Sequence, residues 1–394
     1  MNNTPQSNRL HVGIFGETNA GKSSLFNALT GTDISIVSDL PGTTTDPVVK
    51  AMELLPFGPI VLMDTAGLGD ESDLGRQRME KTNKQLNRID LALYLVDTTA
   101  ESGKDEAVCD KYKEFKEQLA KKQIPHILVK TKADTDFEES GMAVSVHRQE
   151  SIDKLKKAIA DKLSNIKQDN GTLLGDLLPA GSTVLMVAPI DSEAPKGRLI
   201  LPQSQLIRDC LDNGIMACVV TVSGIKQAIS SLEKVDLVVT DSQVFGQVAE
   251  LVPPEIRLTS FSILMARQKN GDISPLLEGI KAIENLKEND NVLISEVCTH
   301  NRTHEDIGRV KIPAAISKIA GCKLNFEFTT GRDFMEDLSK YALIIHCGAC
   351  MITPTEMQRR ITAAKQANVP ITNYGLFLAH VSGVLSRSTE ILGG

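Results

Sequence analysis

The segment from Gly16 to Ser23, GETNAGKS, limits what this chain can fold into more than any other part of its sequence. It fits the pattern G-x-x-x-x-G-K-S/T and stands between a short apolar run, His11 to Phe15, and a helical pattern, Ser23 to Leu29. Glycines allow the backbone N–H groups of such a loop to wrap a phosphate, and the following helix adds the positive end of its dipole. The segment therefore predicts a strand, a phosphate-binding loop and a helix in succession.

Two side chains of this loop are predicted to act directly on a nucleotide. Lys22 would supply a cation to the β- and γ-phosphates, and Ser23 would bind Mg²⁺. The predicted phosphate-binding set is Gly16, Asn19, Ala20, Gly21, Lys22, Ser23 and Ser24.

Two later segments resemble the motifs that surround the γ-phosphate in GTP-hydrolysing proteins. Residues 42–46, GTTTD, are similar to an effector loop whose threonine, here Thr44, closes on Mg²⁺ and the γ-phosphate. Residues 64–67, DTAG, are similar to a D-x-x-G motif. Asp64 would hold Mg²⁺ through water, and the amide of Gly67 would sense the γ-phosphate.

A third segment, residues 131–134 with the sequence TKAD, is similar to the guanine-reading motif N-K-x-D. Asp134 can accept two hydrogen bonds from the N1 and N2 donors of guanine, a pair that adenine does not offer. Lys132 belongs to the same predicted site, and Ser145 is assigned to a weaker fifth element. Thr131 stands where Asn is usual, which leaves open whether one loop-bracing hydrogen bond is kept.

Leu68 follows the DTAG segment, at a position where a glutamine could orient the attacking water. The sequence shows no obvious arginine finger either. The motif set looks like that of GTPases that carry a hydrophobic residue here and recruit K⁺, which an Asn of the phosphate loop helps to bind. Asn19 matches that Asn, and a K⁺ ion could stabilise the developing charge. The alternative is that Asn19 is a variable position without a metal.

Composition limits the class of protein. A length of 394 residues predicts two or three domains. Apolar runs fall short of the roughly 18 to 20 residues of a membrane span, and no signal peptide is visible, so we expect a cytoplasmic protein without a membrane partner. The formal charge is −7 and no segment is strongly basic, so no nucleic-acid partner is expected.

Short apolar strands alternate with amphipathic helices along the chain, which predicts an α/β fold. The N-terminal domain would be a P-loop GTPase with a mostly parallel sheet, and two smaller α/β domains would follow. We predict domains at 1–170, 176–262 and 263–394, with helices at 332–340 and 354–366. The middle domain shows no catalytic motif, which favours an assembly role.

Two cysteine–histidine groups follow predicted strands in the last region. Cys298 and His300 follow one strand, and His346, Cys347 and Cys350 follow another. Ligands collect outside the carboxyl ends of strands in open α/β sheets, so both groups can meet in one crevice. The thiols are expected to be reduced in the cytoplasm, which makes the three cysteines candidate metal ligands.

Three thiolates with nearby histidines fit two kinds of metal centre. One is a structural Cys₃His zinc site. The other is a [4Fe–4S] cluster whose fourth iron has a different or exchangeable ligand. Candidates for that fourth position are His300, His304, Glu305, His346 and Cys322.

The GTPase motifs followed by C-x-H at 298–300 and H-C-x-x-C at 346–350 resemble the [FeFe]-hydrogenase maturation GTPases, the HydF family. The resemblance covers nearly the whole chain. It implies a GTPase, a middle dimerisation domain and a C-terminal domain with a [4Fe–4S] cluster. It also implies a scaffold that receives a diiron subcluster precursor from two radical-SAM enzymes and delivers it to apo-hydrogenase. In this interpretation GTP hydrolysis gates partner interactions, and the chain is a homodimer through residues near 176–262.

Two other functions stay open. One is a K⁺-dependent GTPase with a structural zinc domain that acts in RNA modification or ribosome assembly; the charge count argues against it. The other is a non-catalytic switch in which GTP only sets partner affinity, and this overlaps with the scaffold interpretation.

Overall fold

The computed structural model describes the chain as two compact units, one within Met1–Asp169 and one within Asn170–Gly394. The described residues are 9–31, 48–65, 82–98, 106–133, 142–166, 171–190, 197, 199–297, 307–331, 334–335 and 337–393, without the side chains of 106–110. No helix in these ranges is long and apolar enough to cross a membrane.

The first unit is built on a six-stranded sheet. Its strands are β1 (Leu10–Gly16), β2 (Val48–Leu54), β3 (Gly58–Asp64), β4 (Leu91–Asp97), β5 (His126–Thr131) and β6 (Met142–Val144). They lie in the order β2-β3-β1-β4-β5-β6, and every pair is parallel except β2 with β3. The parallel strands therefore end at one edge, where β1 runs into the phosphate loop.

Helices cover both faces of this sheet, which explains why its central strands are apolar throughout. They are α1 (Lys22–Thr30), α2 (Glu106–Lys121) and α3 (Gln149–Ile166). One core contains Phe26 of α1 and Leu155 of α3, and the other contains Phe115 of α2.

The second unit contains two four-stranded sheets in which all pairs are parallel. The first consists of β7 (Thr183–Val187), β8 (Met216–Val220), β9 (Leu237–Thr240) and β10 (Arg257–Ser260), in the order β10-β9-β7-β8. Its helices are α4 (Leu201–Asp212), α5 (Ile225–Ser231), α6 (Phe245–Leu251) and α7 (Phe261–Asn270).

The second of these sheets consists of β11 (Asn291–Glu296), β12 (Asn325–Thr330), β13 (Leu343–His346) and β14 (Ile371–Asn373), in the order β12-β11-β13-β14. Its helices are α8 (Ser274–Lys281), α9 (Ile312–Ala320), α10 (Pro354–Gln366), α11 (Tyr374–Val381) and α12 (Leu385–Thr389).

One hydrophobic core joins the two sheets of the second unit. It includes Leu185 and Val238 of the first sheet together with Ile294 and Ile344 of the second. Because both sheets bury side chains in the same core, residues 170–394 form a single compact body. The division of that body into two domains at 262/263 stays a prediction.

The α/β fold class is confirmed, and the helix predicted at 354–366 is present with these same ends. The helix predicted at 332–340 is wrong for the part described, because residues 334–335 and 337–340 form irregular chain and a turn. Asp337 accepts hydrogen bonds there from the N–H and the hydroxyl of Ser339, and such local bonds compete with helix formation.

Candidate functional site

The phosphate loop lies between β1 and α1, as the motif requires. Gly16 has φ of 144°, and a Cβ at this position would stand 2.6 Å from the Leu95 carbonyl oxygen, so glycine is needed. Gly21 has φ of 86° and caps α1 at its N-terminus. Lys22 is buried, and its Nζ donates hydrogen bonds to the carbonyls of Gly16 (3.0 Å) and Glu17 (2.6 Å). These bonds hold the ammonium group over the loop.

Two residues of the predicted Mg²⁺ site come together although they are far apart in sequence: Ser23, predicted to bind the ion, and Asp64, predicted to hold it through water. The Ser23 hydroxyl donates to Asp64 Oδ2 at 2.9 Å, and Asp64 is buried at the end of β3. Parallel pairing of β1 with β3, with Ile14 opposite Asp64, fixes this proximity. A hydroxyl beside a carboxylate is an oxygen set that suits Mg²⁺.

The Thr131 side chain makes the hydrogen bond that braces the phosphate loop. Its hydroxyl donates to the Ala20 carbonyl at 2.7 Å and lies 3.2 Å from the Val96 carbonyl. The buried threonine therefore ties the end of β5 to the phosphate loop and to β4. The brace is present, made by a hydroxyl in place of an amide.

Two of the predicted base-reading residues, Lys132 and Ser145, lie at the same sheet edge. Lys132 directly follows β5 with φ of 56°, and its Nζ contacts Asp97 Oδ2 at 2.6 Å. Ser145 follows β6 and is buried, and its carbonyl accepts a hydrogen bond from Ser151. Neighbouring parallel strands β5 and β6 bring both residues to one place.

Other predicted nucleotide residues are only partly described. Asn19 has φ of 62° and is exposed, as is Ser24. Thr44, Gly67, Leu68 and Asp134 lie outside the described residues.

The cysteine loop lies at the carboxyl ends of β11 and β13 in the second unit. These strands pair in parallel, with Ser295 opposite His346. Beyond the last paired residues of these two strands, the N–H of Val297 donates to Cys347 Sγ with an N···S distance of 3.3 Å. Val297 is the residue before Cys298, so this bond joins the last described residue before the C-x-H segment to the C-x-x-C segment.

The cysteine loop contains one residue in an unusual backbone conformation. Ala349 adopts φ of 55°, a left-handed conformation that costs free energy and often marks a functional turn. The loop ends where α10 begins, and the Thr353 hydroxyl there accepts a hydrogen bond from the N–H of Glu356 at 3.2 Å. Cys347 and Cys350 are both partly buried.

His346 takes part in a buried polar network. Its Nδ1 lies 2.8 Å from the Cys347 carbonyl, and its Nε2 lies 2.8 Å from an N–H of Arg360. Arg360 also donates to Glu356 Oε1 at 3.0 Å. Burial lowers the pKa of His346 to about 3, with the charge of Arg360 acting in the same direction. The ring is therefore neutral, and both of its nitrogens have protein partners.

The surroundings of Cys347 act on its pKa in opposite directions. Burial raises the pKa of this thiol, while main-chain hydrogen bonds from Val297 and Ala349 oppose that change by stabilising the thiolate. Within the described ranges no group of three or more His, Cys, Asp or Glu side chains could hold a metal ion. Cys298, His300, His304 and Glu305 fall outside those ranges.

Two charged residues beside this loop were not predicted from the sequence. Arg360 holds His346, and Lys269 of α7 donates to the carbonyls of Ala349 and Ile352. Both are buried. Cys322, a predicted alternative ligand, lies 4.0 Å from the Leu286 carbonyl oxygen, at the start of the segment that leads into β12.

Comparisons with known proteins identify all three parts of the chain. The model of a 50S ribosome-binding GTPase matches residues 11–132. The hydrogen maturase F dimerization domain matches residues 173–270, and the hydrogen maturase F tetramerization domain matches residues 274–391. The last two models together match more than half of the chain.

Curated relatives share a smaller part. The tRNA modification GTPase MnmE of Chromobacterium violaceum is 33% identical over 175 residues, which cover 42% of this chain and 37% of that protein. The MnmE of Methylorubrum populi is 36% identical over 152 residues, which cover 38% and 31%. The chain thus spans about a third of the length of these relatives.

Among solved structures, the G domain of the T. maritima FeoB iron transporter aligns with 41% of this chain and 99% of its own, at 23% identity and a TM-score of 0.29. The phosphate loop, the Ser23–Asp64 pair and the GTPase model make the first unit a P-loop GTPase domain. With the two maturase models over the remainder, the chain belongs to the hydrogen maturase F (HydF) family of GTPases.

Proposed function

We propose that this protein is a GTP-hydrolysing scaffold and carrier in the maturation of [FeFe]-hydrogenase. It would bind a [4Fe–4S] cluster through Cys298, Cys347 and Cys350, receive a diiron subcluster precursor as cargo, and deliver it to apo-hydrogenase. The observation that carries this proposal is the hydrogen bond from Val297, the residue before Cys298, to Cys347 Sγ, which supports a common site for the two cysteine segments. Such a cluster, with one non-cysteine position, supplies an exchangeable iron site.

The fourth position of the cluster is proposed to fall on His300 or Glu305. His346 is less suited, because its two ring nitrogens face the Cys347 carbonyl and Arg360. We propose that His346 instead fixes the orientation of the cysteine loop.

On the nucleotide side, the proposal assigns charge stabilisation to Lys22, Mg²⁺ binding to Ser23 and Thr44, and a water-mediated contact with Mg²⁺ to Asp64. Gly67 would contact the γ-phosphate, and the base would be read by Asp134 with Lys132 and Ser145.

Asn19 is proposed to help bind K⁺ near the β- and γ-phosphates. Its exposed position in the loop and the leucine at position 68 support this assignment. A cation there would supply the charge that an arginine finger supplies in other GTPases.

A homodimer through the middle region is supported by β8. This strand lies at the edge of its sheet, its five residues are all apolar, and Met216 and Val219 are exposed. Leu211 of the preceding helix is also exposed. An apolar edge strand is a template for pairing with a second chain.

Replacing Val219 by Asp is expected to weaken the dimer by at least about 100-fold in dissociation constant, because the charge would have to be buried in the interface. Analytical ultracentrifugation over a dilution series measures this. Val49→Asp is the matched control, since Val49 is also on an edge strand and is 45% exposed, against 43% for Val219. A Val219→Asp protein that dissociates no more readily than the control would remove β8 from the interface.

Delivery of the cargo is tested with apo-hydrogenase. Protein that is co-expressed with the two radical-SAM enzymes and purified anaerobically is expected to restore hydrogen evolution on mixing. Protein that is expressed without those enzymes is expected to restore none, because it carries no diiron precursor. Equal activation by both preparations, or by neither, would contradict the carrier function.

A further inference from the structure

A buried ammonium group at the end of α7 supports the cysteine loop. Lys269 lies in the last turn of α7 and is only 4% exposed. Its Nζ donates to the carbonyl of Ala349 and, at 2.8 Å, to the carbonyl of Ile352. These two carbonyls stand on either side of Cys350, so one side chain fixes the loop before and after a candidate ligand.

Several other contacts dock the same helix against this loop. Gln358 of α10 donates to the Asn270 carbonyl at 2.9 Å, directly after Lys269. Cys350 packs against the hydrophobic cluster that includes Leu264 and Met265 of α7. Lys269 therefore sits in a packed junction, where its side chain has little freedom to turn towards solvent.

A lysine is a costly choice for a position whose task is packing alone. An ammonium group loses favourable hydration on burial, and a core of this kind is usually filled by apolar side chains. Two carbonyl acceptors offset part of that cost. A thiolate-bound cluster beside the loop would offset more, because three thiolates give it a net negative charge that grows on reduction.

We propose that Lys269 is a positioning residue for the iron–sulfur cluster: it holds the Cys347–Cys350 loop in its coordinating shape and places a fixed positive charge beside the cluster. The inference rests on the proposed function. It also makes α7 the element through which the region matched by the dimerization-domain model touches the cluster loop, since that match covers residues 173–270 and includes Lys269.

The test compares Lys269→Met, Lys269→Gln and Lys269→Arg after anaerobic reconstitution with iron and sulfide. Lys281→Met, which removes an exposed lysine from the end of α8, is the matched control. Both neutral variants are expected to keep at most half of the iron of the unchanged protein after gel filtration. The reduction potential of the cluster that remains is expected to become more negative, because a positive charge beside it is lost. The ratio of reduced to oxidised cluster at a fixed potential should therefore fall roughly tenfold.

The arginine variant is expected to keep the reduction potential, because it keeps the charge, and the control is expected to match the unchanged protein. Unchanged iron content and potential in the two neutral variants would overturn the proposal. Circular dichroism shows whether the apo-proteins fold. Loss of folding in both neutral variants would also overturn the proposal, since Lys269 would then be needed for the fold as a whole and not for the cluster. If the unchanged protein loads no cluster at all, the proposed function fails first.

Discussion

Replacing Lys22 by Ala is expected to lower kcat/KM for GTP hydrolysis by about 10²- to 10³-fold. The ammonium group is already held over the phosphate loop by the carbonyls of Gly16 and Glu17, so it needs little reorganisation to stabilise charge that develops on the β- and γ-phosphates. Alanine removes that charge together with the two hydrogen bonds to the loop carbonyls. Phosphate release at several GTP concentrations measures the effect.

Lys111→Ala is the matched control for Lys22→Ala. Lys111 of α2 also contacts the loop, through Glu17 Oε1 at 2.5 Å, but this ion pair is exposed. Exposed pairs contribute about 0 to 1 kcal/mol, so the control should lose less than about fivefold. Equal losses in both variants would show that general disturbance of the loop, and not the charge of Lys22, limits hydrolysis.

Replacing Cys347 by Ser is expected to reduce the iron content after anaerobic reconstitution from about four atoms per chain to below one. The Cys347 sulfur accepts main-chain hydrogen bonds from Val297 and Ala349, and a serine hydroxyl is a poor ligand for iron in such clusters. Iron and sulfide analysis, together with the visible absorption of the cluster, measures the change.

Cys322→Ser is the control for that experiment, because Cys322 is another partly buried free thiol of the same unit. It should keep the full iron content. A Cys347→Ser protein that also keeps it would remove Cys347 from the ligand set, and with it the observation on which the proposed function depends.

The parts of the structure that the sequence predicted best are those with a strong local signal. The glycine-rich loop can form only where Gly16 and Gly21 adopt their special backbone angles, so its strand–loop–helix setting followed directly. The helix from Pro354 to Gln366 was predicted with its observed ends because a proline follows an N-cap threonine at its start.

Features that depend on contacts between distant residues were not predictable in this way. The Thr131 hydroxyl braces the Ala20 carbonyl across 111 residues, which no pattern around TKAD reveals. Strand β2 has alternating burial at a sheet edge and lacks the continuous apolar run that marked the central strands. Lys269 looks like an ordinary lysine at a helix end, and only the tertiary packing of α7 buries it.

The measurement that tests the central claim most directly is anaerobic metal and sulfide analysis of the purified protein, with EPR after dithionite reduction. The account predicts about four irons and four sulfides per chain and the signal of a reduced [4Fe–4S] cluster. One zinc per chain without an EPR signal would contradict it, because the cysteines would then form a structural zinc site.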